Sequence, residues 1–444
     1  MIPVVTPDEM KSIDEESREP TEVLVQRAGA AVARRALQML GGGYGRRVVV
    51  VAGKGNNGAD GRVAGQRLRR SGARVTVVEA TDQPQRLPPC DLLIDAAFGT
   101  GFRGEYQAPA PGGAPVLAVD IPSGVDGLTG QAGDGAVWAT TTVTFAALKP
   151  GLLLGSGPER TGPVELVDIG LDASRAHIHL VQDEDVGAHL PPRPRESHKW
   201  RSAVFVAAGS PGMMGAPLLV ARAALRAGAG YVNLGVPGAA LEQMPSGSEA
   251  VARALPSEGW APEALRDSER FKAAAVGPGL GRGEGTLAEV RRLLAESPVP
   301  LVVDGDALAA VDGPLGAEAV LTPHAAEYER LAGSPLGPDR LDAARSLAAR
   351  LQAVVLLKGP TTVVAHPQGE VLISVTGDTR LATAGTGDVL SGVIAAFLAQ
   401  GVAPMWAAGL AAHVHGSAAR LGPRRGMVAG DVVELLPQWL SAHA

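Results

Sequence analysis

A chain of 444 residues is too long for one ordinary hydrophobic core, so two domains are expected. With 45% hydrophobic and 19% charged residues the sequence is globular rather than disordered, and a net charge of −6 excludes a general attraction to nucleic acid or anionic membrane. Cys90 is the only cysteine, which excludes an intrachain disulfide and a cysteine zinc cluster and suits a reducing cytoplasm.

The first residues, MIPVVTPDEMKSIDEES, have neither the basic start nor the apolar stretch of a secretory signal. Thr6, Pro7, Asp8 and Glu9 supply a cap, a proline at the first helical position and acids in the first turn, which predicts a helix. A second helix is predicted from Thr21 to Leu40, where Gly41-Gly42-Gly43 stops it. The runs RRVVVVAG, ARVTVVEA, CDLLIDAA, PVLAVDIP, TTVTFAAL and PVELVDIG then recur without clean alternation, as strands buried on both faces do. Helical stretches such as GRVAGQRLRRSG separate several of them, so the sheet should be mainly parallel.

Three of these strands end in glycine-rich turns that carry oxygens. VVVVAGKGNNGADG lacks the spacing of a dinucleotide fingerprint and instead offers Asn56, Asn57 and Asp60. DAAFGTGFRGE brings Asp95 and Arg103, and VDIPSGVDG brings Asp120 and Ser123. Amide, carboxylate and hydroxyl oxygens gathered at neighbouring strand ends suit a hard cation, although each residue alone reads equally well as a turn or cap residue.

GAHLPPRPRESHKWRS, with three prolines among charges, reads as the interdomain linker, giving domains at 1–190 and 200–444. The β-α-β rhythm restarts with SAVFVAAG, GYVNLGV, KAAAVGPG, PLVVDGD, AVLTPHA and AVVLLKGP. TTVVAH and EVLISV are close enough to form a hairpin, and three helices are predicted at roughly 387–400, 403–421 and 430–442. The longest apolar stretch is broken by Gly401 and Pro404, which reads as two buried helices and not a membrane span.

In this second half LLKGPTT ends a strand with Lys358, and ATAGTGDVLSG opens a helix. Gly385 and Gly387 leave backbone N–H groups free to approach an anion at a helix N-terminus. Asp388 would repel a phosphate, so it makes sense as a general base acting on a hydroxyl while the amides hold a transferring phosphoryl group. A lone GTGD could as well be a capped turn; GPGLG, VDGDAL and TPHAAEYERL in order before it favour the functional reading.

That ordered set resembles the ribokinase-like superfamily, and AGSPGMMGAP, GPGLG, TPHAAE, LKGPTTVV and TAGTGDVLSGVIAA are similar to the ADP/ATP-dependent NAD(P)H-hydrate dehydratases within it. GNNGADG, DAAFGTG and DIPSG resemble the NAD(P)H-hydrate epimerase domain over nearly all of residues 1–190. The resemblances imply two three-layer α/β/α domains, the first Rossmann-like and the second ribokinase-like. They imply an enzyme that interconverts R- and S-NAD(P)HX and then dehydrates the S form, a nucleotide phosphate activating the C6 hydroxyl as a leaving group.

By resemblance, K+ would be held by Asn57, Asp95 and Ser123. NADHX or NADPHX would contact Asn56, Asn57, Gly58, Ala59, Asp60, Gly99, Thr100, Gly101, Phe102, Arg103, Gly104, Glu105 and Asp120, with Asp120 as the acid–base group. ADP or ATP, with Mg2+, would lie on Lys358, Gly359, Pro360, Thr361, Thr362 and Gly387, and the hydrate would meet Ala216, Gly279, His324 and the base Asp388. A cytoplasmic homo-oligomer without nucleic-acid or membrane partners is expected. Ala59, Ala325 and Ala326 stand where the family usually shows glycine, proline and glycine, Met213 and Met214 where a tyrosine is frequent, and Trp200 where a glycine usually follows His198-Lys199. At Ala59 a positive φ would cost about 1 kcal/mol or more.

Two rivals use the same residues: a ribokinase-type kinase of a small alcohol, and an N-terminal half that binds without catalysis. His177 with His179, and His413 with His415, lack a third ligand nearby and are not expected to bind metal. Arg67, Arg69 and Arg70 read as a solvated helix end.

Overall fold

The structure, a computed structural model, describes residues 1–82, 86–243, 248–315 and 318–444. It divides into two compact units, Ile2–Ile178 and His179–Ala444, the second also taking Met1.

The first unit runs β1 (Ile2–Val4), α1 (Pro7–Glu16), α2 (Thr21–Leu40), β2 (Arg47–Ala52), α3 (Asn56–Arg70), β3 (Arg74–Glu79), β4 (Leu92–Ala96), β5 (Val116–Val119), β6 (Thr141–Phe145), α4 (Pro150–Leu153), α5 (Gly157–Thr161) and β7 (Val164–Val167). Both expected leading helices are present. Thr6 Oγ1 accepts from the Glu9 amide at 3.2 Å while the Thr6 amide donates to Glu9 Oε2 at 2.7 Å, a reciprocal cap that starts α1. Gly41, at φ 66°, ends α2.

The sheet order is β3-β2-β4-β5-β6-β7, with every pair parallel. Alternate residues of β2 and β4, such as Val48, Val50, Leu92 and Ile94, pack under α2 and α3. Val49, Val51 and Leu93 face the other way, against Ala80, Ala97, Val137 and the irregular segment around Phe98 and Tyr106. Burial on both faces is why these strands read as unbroken valine and leucine runs.

In the second unit, β9 (Ala203–Ala207), α7 (Gly215–Arg226), β10 (Tyr231–Pro237), β11 (Val251–Leu255), α8 (Ala261–Leu265), β12 (Ala273–Val276), α9 (Glu284–Glu296), β13 (Leu301–Val303), β14 (Ala319–Leu321), α10 (Ala325–Ala332), α11 (Arg340–Leu351), β15 (Val354–Leu357), β16 (Thr362–Ala365), β17 (Val371–Ser374), α12 (Thr386–Ala399), α13 (Pro404–Arg420) and α14 (Ala429–His443) follow β8 (Ile178–Leu180) and α6 (Asp183–His189). The strand order β17-β16-β15-β14-β13-β12-β9-β10-β11 is parallel from β15 to β11, and β15, β16 and β17 pair antiparallel through the expected hairpin. α7, α12, α13 and α14 bury one face with alanine, valine and leucine, and α11 packs on β15 and β16 from the other.

Three short strands, β1, β8 and β11, are not expected from the sequence. β11 is mostly exposed, so it lacks the apolar run that marks the inner strands. The ends of the expected linker are structured, Asp183–His189 as α6 and Lys199–Ser202 as a short 3₁₀ turn, leaving 190–198 irregular. Among the described residues no helix is long and apolar enough to cross a membrane.

Candidate active sites

In the first unit the turns after β2, β4 and β5 open on one cavity of about 830 Å³. Its lining includes Asn56, Asn57, Asp60, Gly99, Thr100, Gly101, Phe102, Arg103 and Asp120. Gly58, Ala59, Gly104 and Glu105, also expected at the substrate, are not among its lining residues. Gly58 instead serves close packing of the backbone. A Cβ there would run into the Gly53 carbonyl oxygen, so only glycine lets α3 start this close to the end of β2. Ala59 lies inside α3 and is not among the residues of positive φ, so alanine carries no strain and the expected penalty does not arise. Ala59→Gly should therefore destabilise the first unit by about 0.5–1 kcal/mol through helix entropy. Gly58→Ala should cost it about 1–3 kcal/mol by overpacking; denaturant titration of both variants checks the contrast.

Asp95, buried at the end of β4, accepts from the Ser123 amide at 2.8 Å and from Ser123 Oγ at 2.7 Å. Burial pushes its carboxyl up to about 6, against the lowering effect of those hydrogen bonds. Asn57 Nδ2 donates to the Phe98 carbonyl at 2.9 Å, which leaves Asn57 Oδ1 buried without a hydrogen-bond partner. Ser123 Oγ lies 3.2 Å from the same carbonyl. An orphaned amide oxygen beside a buried carboxylate and a hydroxyl is a donor set for a hard monovalent or divalent cation, so these residues fit K+.

Asp120 follows β5 with φ 66°, a costly conformation for a residue with a side chain and one that gathers at functional sites. Its Oδ1 accepts from Thr144 Oγ1 at 3.0 Å and pairs with the ammonium of Lys149. Lys149 and Asp14 also line the cavity, and sequence reasoning misses both. A lysine closing the apolar run TTVTFAALK is the available signal for the first. Asp14 sits on the exposed-looking helix α1 and gives none.

In the second unit most of the turns singled out from the sequence follow the parallel strands β9, β12, β13, β14 and β15 at their C-terminal ends, where open α/β sheets place ligands. Asp304, directly after β13, is the buried hub. Its Oδ1 accepts from Thr322 Oγ1 at 2.6 Å and Lys358 Nζ at 2.9 Å, and its Oδ2 from Ser391 Oγ at 2.8 Å. Burial would raise the Asp304 carboxyl, but Lys358 and these hydrogen bonds hold it below the usual range. Lys358 also lies 3.7 Å from Glu327. Burial opposes the charge on Lys358, yet Asp304 and Glu327 raise its pKa. A Cβ built on Gly387 would sit 3.6 Å from Lys358 Nζ, so the glycine turn and the lysine share one place. Asp388 is pushed up to about 6 by burial and by Asp304, with Lys358 pulling the other way.

Gly385, at φ 90°, turns the chain into α12. Gly279, at φ 71°, faces Ala216, so the two expected hydrate contacts adjoin each other. His324 caps α10 through a reciprocal pair with Glu327, its amide donating to Glu327 Oε2 at 2.9 Å, and its ring is half exposed. Ala325 and Ala326 form the first turn of that helix. Among the expected nucleotide contacts, Gly359 and Pro360 are exposed, Thr362 opens β16, and Thr361 is buried. Arg340 Nη2 donates to the Lys358 carbonyl at 3.0 Å and shields Gly359. Asp304 and Glu327 fall within VDGDAL and TPHAAEYERL, where sequence alone assigns them no role. Among the described residues no group of three His, Cys, Asp or Glu side chains that could hold a metal ion occurs, and His413 and His415 are buried in α13, with burial pushing His415 down to about 4.

A family model described as NAD(P)H-hydrate dehydratase matches residues 204–438, and one described as YjeF-related protein N-terminus matches 21–87 and 78–151. The bifunctional NAD(P)H-hydrate repair enzyme Nnr of Salinibacter ruber is 36% identical over 98% of this chain and 96% of its own. The enzyme of the same name from Moorella thermoacetica is 36% identical with the same coverage. The crystal structure of ADP/ATP-dependent NAD(P)H-hydrate dehydratase from Bacillus subtilis, co-crystallised with ATP/Mg2+, is 30% identical with a TM-score of 0.53, covering 59% of this chain and 98% of that one.

Proposed function

The chain belongs to the family of bifunctional NAD(P)H-hydrate repair enzymes, and from that premise we propose that its two crevices divide the repair between them. The enzyme epimerises R- and S-NAD(P)HX and dehydrates the S form to NAD(P)H with ADP or ATP. In our reading the 830 Å³ cavity is the epimerase site and the crevice at Lys358 and Asp388 is the dehydratase site. The observation that carries the second assignment is a half-buried, pre-paired lysine beside a glycine turn whose next residue is a carboxyl pushed up to about 6.

At that crevice the α12 N-terminus and Lys358 hold the phosphates of the nucleotide, supported by Pro360, Thr361 and Thr362. Mg2+ bound with the nucleotide phosphates would supply neutralisation of their charge. Asp388 takes the proton of the C6 hydroxyl, whose oxygen attacks the terminal phosphoryl group; ADP thereby leaves AMP, and ATP leaves ADP. Hydroxide is a poor leaving group and phosphate a good one. The ring nitrogen's electron pair expels phosphate from C6, and loss of a C5 proton restores the double bond. Ala216, Gly279 and His324 border the hydrate.

At the epimerase site Asn57, Asp95 and Ser123 would hold K+, which would satisfy the orphaned Asn57 oxygen and offset the buried Asp95 charge. Asp120 is the acid–base group. The lone Cys90 and the acidic net charge support a cytoplasmic setting, and a homo-oligomeric state belongs to the same proposal.

The test is recovery of reduced-nicotinamide absorbance from mixed R- and S-NADHX with ADP or ATP. Full recovery, faster than spontaneous epimerisation allows, is the expected result. Recovery of the S fraction alone would remove the epimerase assignment, and a stable phosphorylated product without NADH would replace the dehydratase by a kinase.

A further inference from the structure

We propose that epimerisation runs on a divided carboxyl set, in which Asp120 takes the C6 hydroxyl proton, Asp60 delivers a proton to the ring nitrogen, and Lys149 and Asp14 are positioning residues. This rests on the epimerase reading of the cavity and adds to it the separate roles of four side chains.

All four line the cavity, yet they arrive from different elements: Asp14 from α1, Asp60 from α3, Asp120 from the turn after β5, and Lys149 from the turn before α4. Lys149 is 1% exposed, and its three N–H bonds are spent on Asp120 Oδ1, on Thr144 Oγ1 at 2.9 Å and on the Phe145 carbonyl at 3.0 Å. None remains for a substrate, so Lys149 acts on the neighbouring carboxyls and not on the substrate itself. Thr144 Oγ1 donates to the same Asp120 Oδ1, so that oxygen is anchored twice. Oδ2 is the oxygen left for chemistry, on the side of Gly99. Asp120 thus stands against a buried ammonium with one oxygen open to the cavity, the placement a proton acceptor needs.

Asp60 stands in the opposite electrostatic position. Burial, then the charges of Asp120 and Asp14, push it up to about 8, with Lys149 opposing. Burial and Asp120 also raise Asp14. An ammonium against one carboxyl and two carboxyls beside the other is the kind of arrangement that separates a base from an acid.

The chemistry balances within these groups. The hydrate is a carbinolamine: Asp120 removes the hydroxyl proton, C6=O forms, and the C6–N1 bond breaks with its electron pair going to nitrogen. Asp60 supplies the N1 proton. Rotation of the freed aldehyde and reclosure on its other face return both protons, so no oxidant, reductant or water is consumed.

The groups facing Asp60 are Asp14, Asp120 and Lys149, with Lys54 and Arg103 also on the cavity wall. Asp60 donates only while protonated, so the epimerisation rate should fall as pH rises through about 8. In the full-length chain, Asp60→Asn should lower the rate by about 10²–10⁴-fold and abolish this alkaline limb. Asp14→Asn removes a charge that raises Asp60 and should move the limb to lower pH. Lys149→Met removes a charge that lowers it and should move the limb to higher pH, with a loss in kcat rather than KM. A cooperative denaturant transition of the first unit in each variant reports that this unit is folded. Opposite shifts of the limb support the inference. A limb that Asp14→Asn and Lys149→Met leave in place, or that persists in Asp60→Asn, overturns it while wild-type epimerisation stands. A wild-type chain that dehydrates but does not epimerise removes the inference and the epimerase reading together.

Discussion

Asp388→Asn is expected to lower nucleotide-dependent recovery of NADH from S-NADHX by about 10²–10⁴-fold, the usual contribution of a positioned general base. The substitution keeps size and shape at the third residue of α12, so nucleotide affinity and the unfolding midpoint should change little. The neighbouring carboxylate Asp304 is not free to take the proton, because it is already engaged by Thr322, Lys358 and Ser391. A base must be ionised to act. With Asp388 pushed up to about 6, the wild-type rate should rise with pH through about 6 and then level. The variant should lack that rise, and its epimerase rate should equal that of the wild type. A variant that retains most of its activity with the same pH rise would remove Asp388 from the mechanism.

Loss of Asp120 should act on stability as well as on rate. Asp120→Asn preserves a residue type that tolerates φ 66° but removes the charge opposite Lys149. Epimerisation should be lost. Lys149, fully buried, is then left without its counter-charge, and breaking a buried pair from one side costs about 3–5 kcal/mol. That cost belongs to the first unit, so in a denaturant titration its transition should move while that of the second unit stays. The double variant Asp120→Asn with Lys149→Met removes both charges and should regain most of the stability, because an apolar pair of similar volume is often neutral in such a position. It should regain none of the epimerisation. Equal instability of the single and double variants would show that the ion pair contributes nothing beyond its packing.

Local signals made much of the fold legible. Thr6 to Glu9 spelled a reciprocal cap, Gly41 a helix stop, and Gly401 with Pro404 the break between α12 and α13. These depend on residues within one turn of each other. β11 escaped because its sequence, VARAL, is exposed along most of its length and carries no buried stripe.

Within the sites the same division holds. Asn57, Asp95, Ser123, Lys358, Gly387 and Asp388 could be singled out because each sits in a glycine-rich stretch at a strand end or a helix start, a pattern written in neighbouring residues. Ala59 was misjudged because backbone angle, not residue type, decides the cost, and α3 begins before it. Lys149, Asp14, Asp304 and Glu327 have no such local mark. Lys149 lies 29 residues from Asp120, and Lys358 lies 54 from Asp304. The sequence by itself determined which strands are buried, where helices start and stop, and which turns gather glycines and polar side chains, since all three follow from short-range patterns of size, polarity and charge. Only the tertiary structure decided which charges face each other and how deeply they are buried. Those two quantities set a carboxyl's protonation state, because desolvation and Coulomb energy depend on position in space and not on order along the chain.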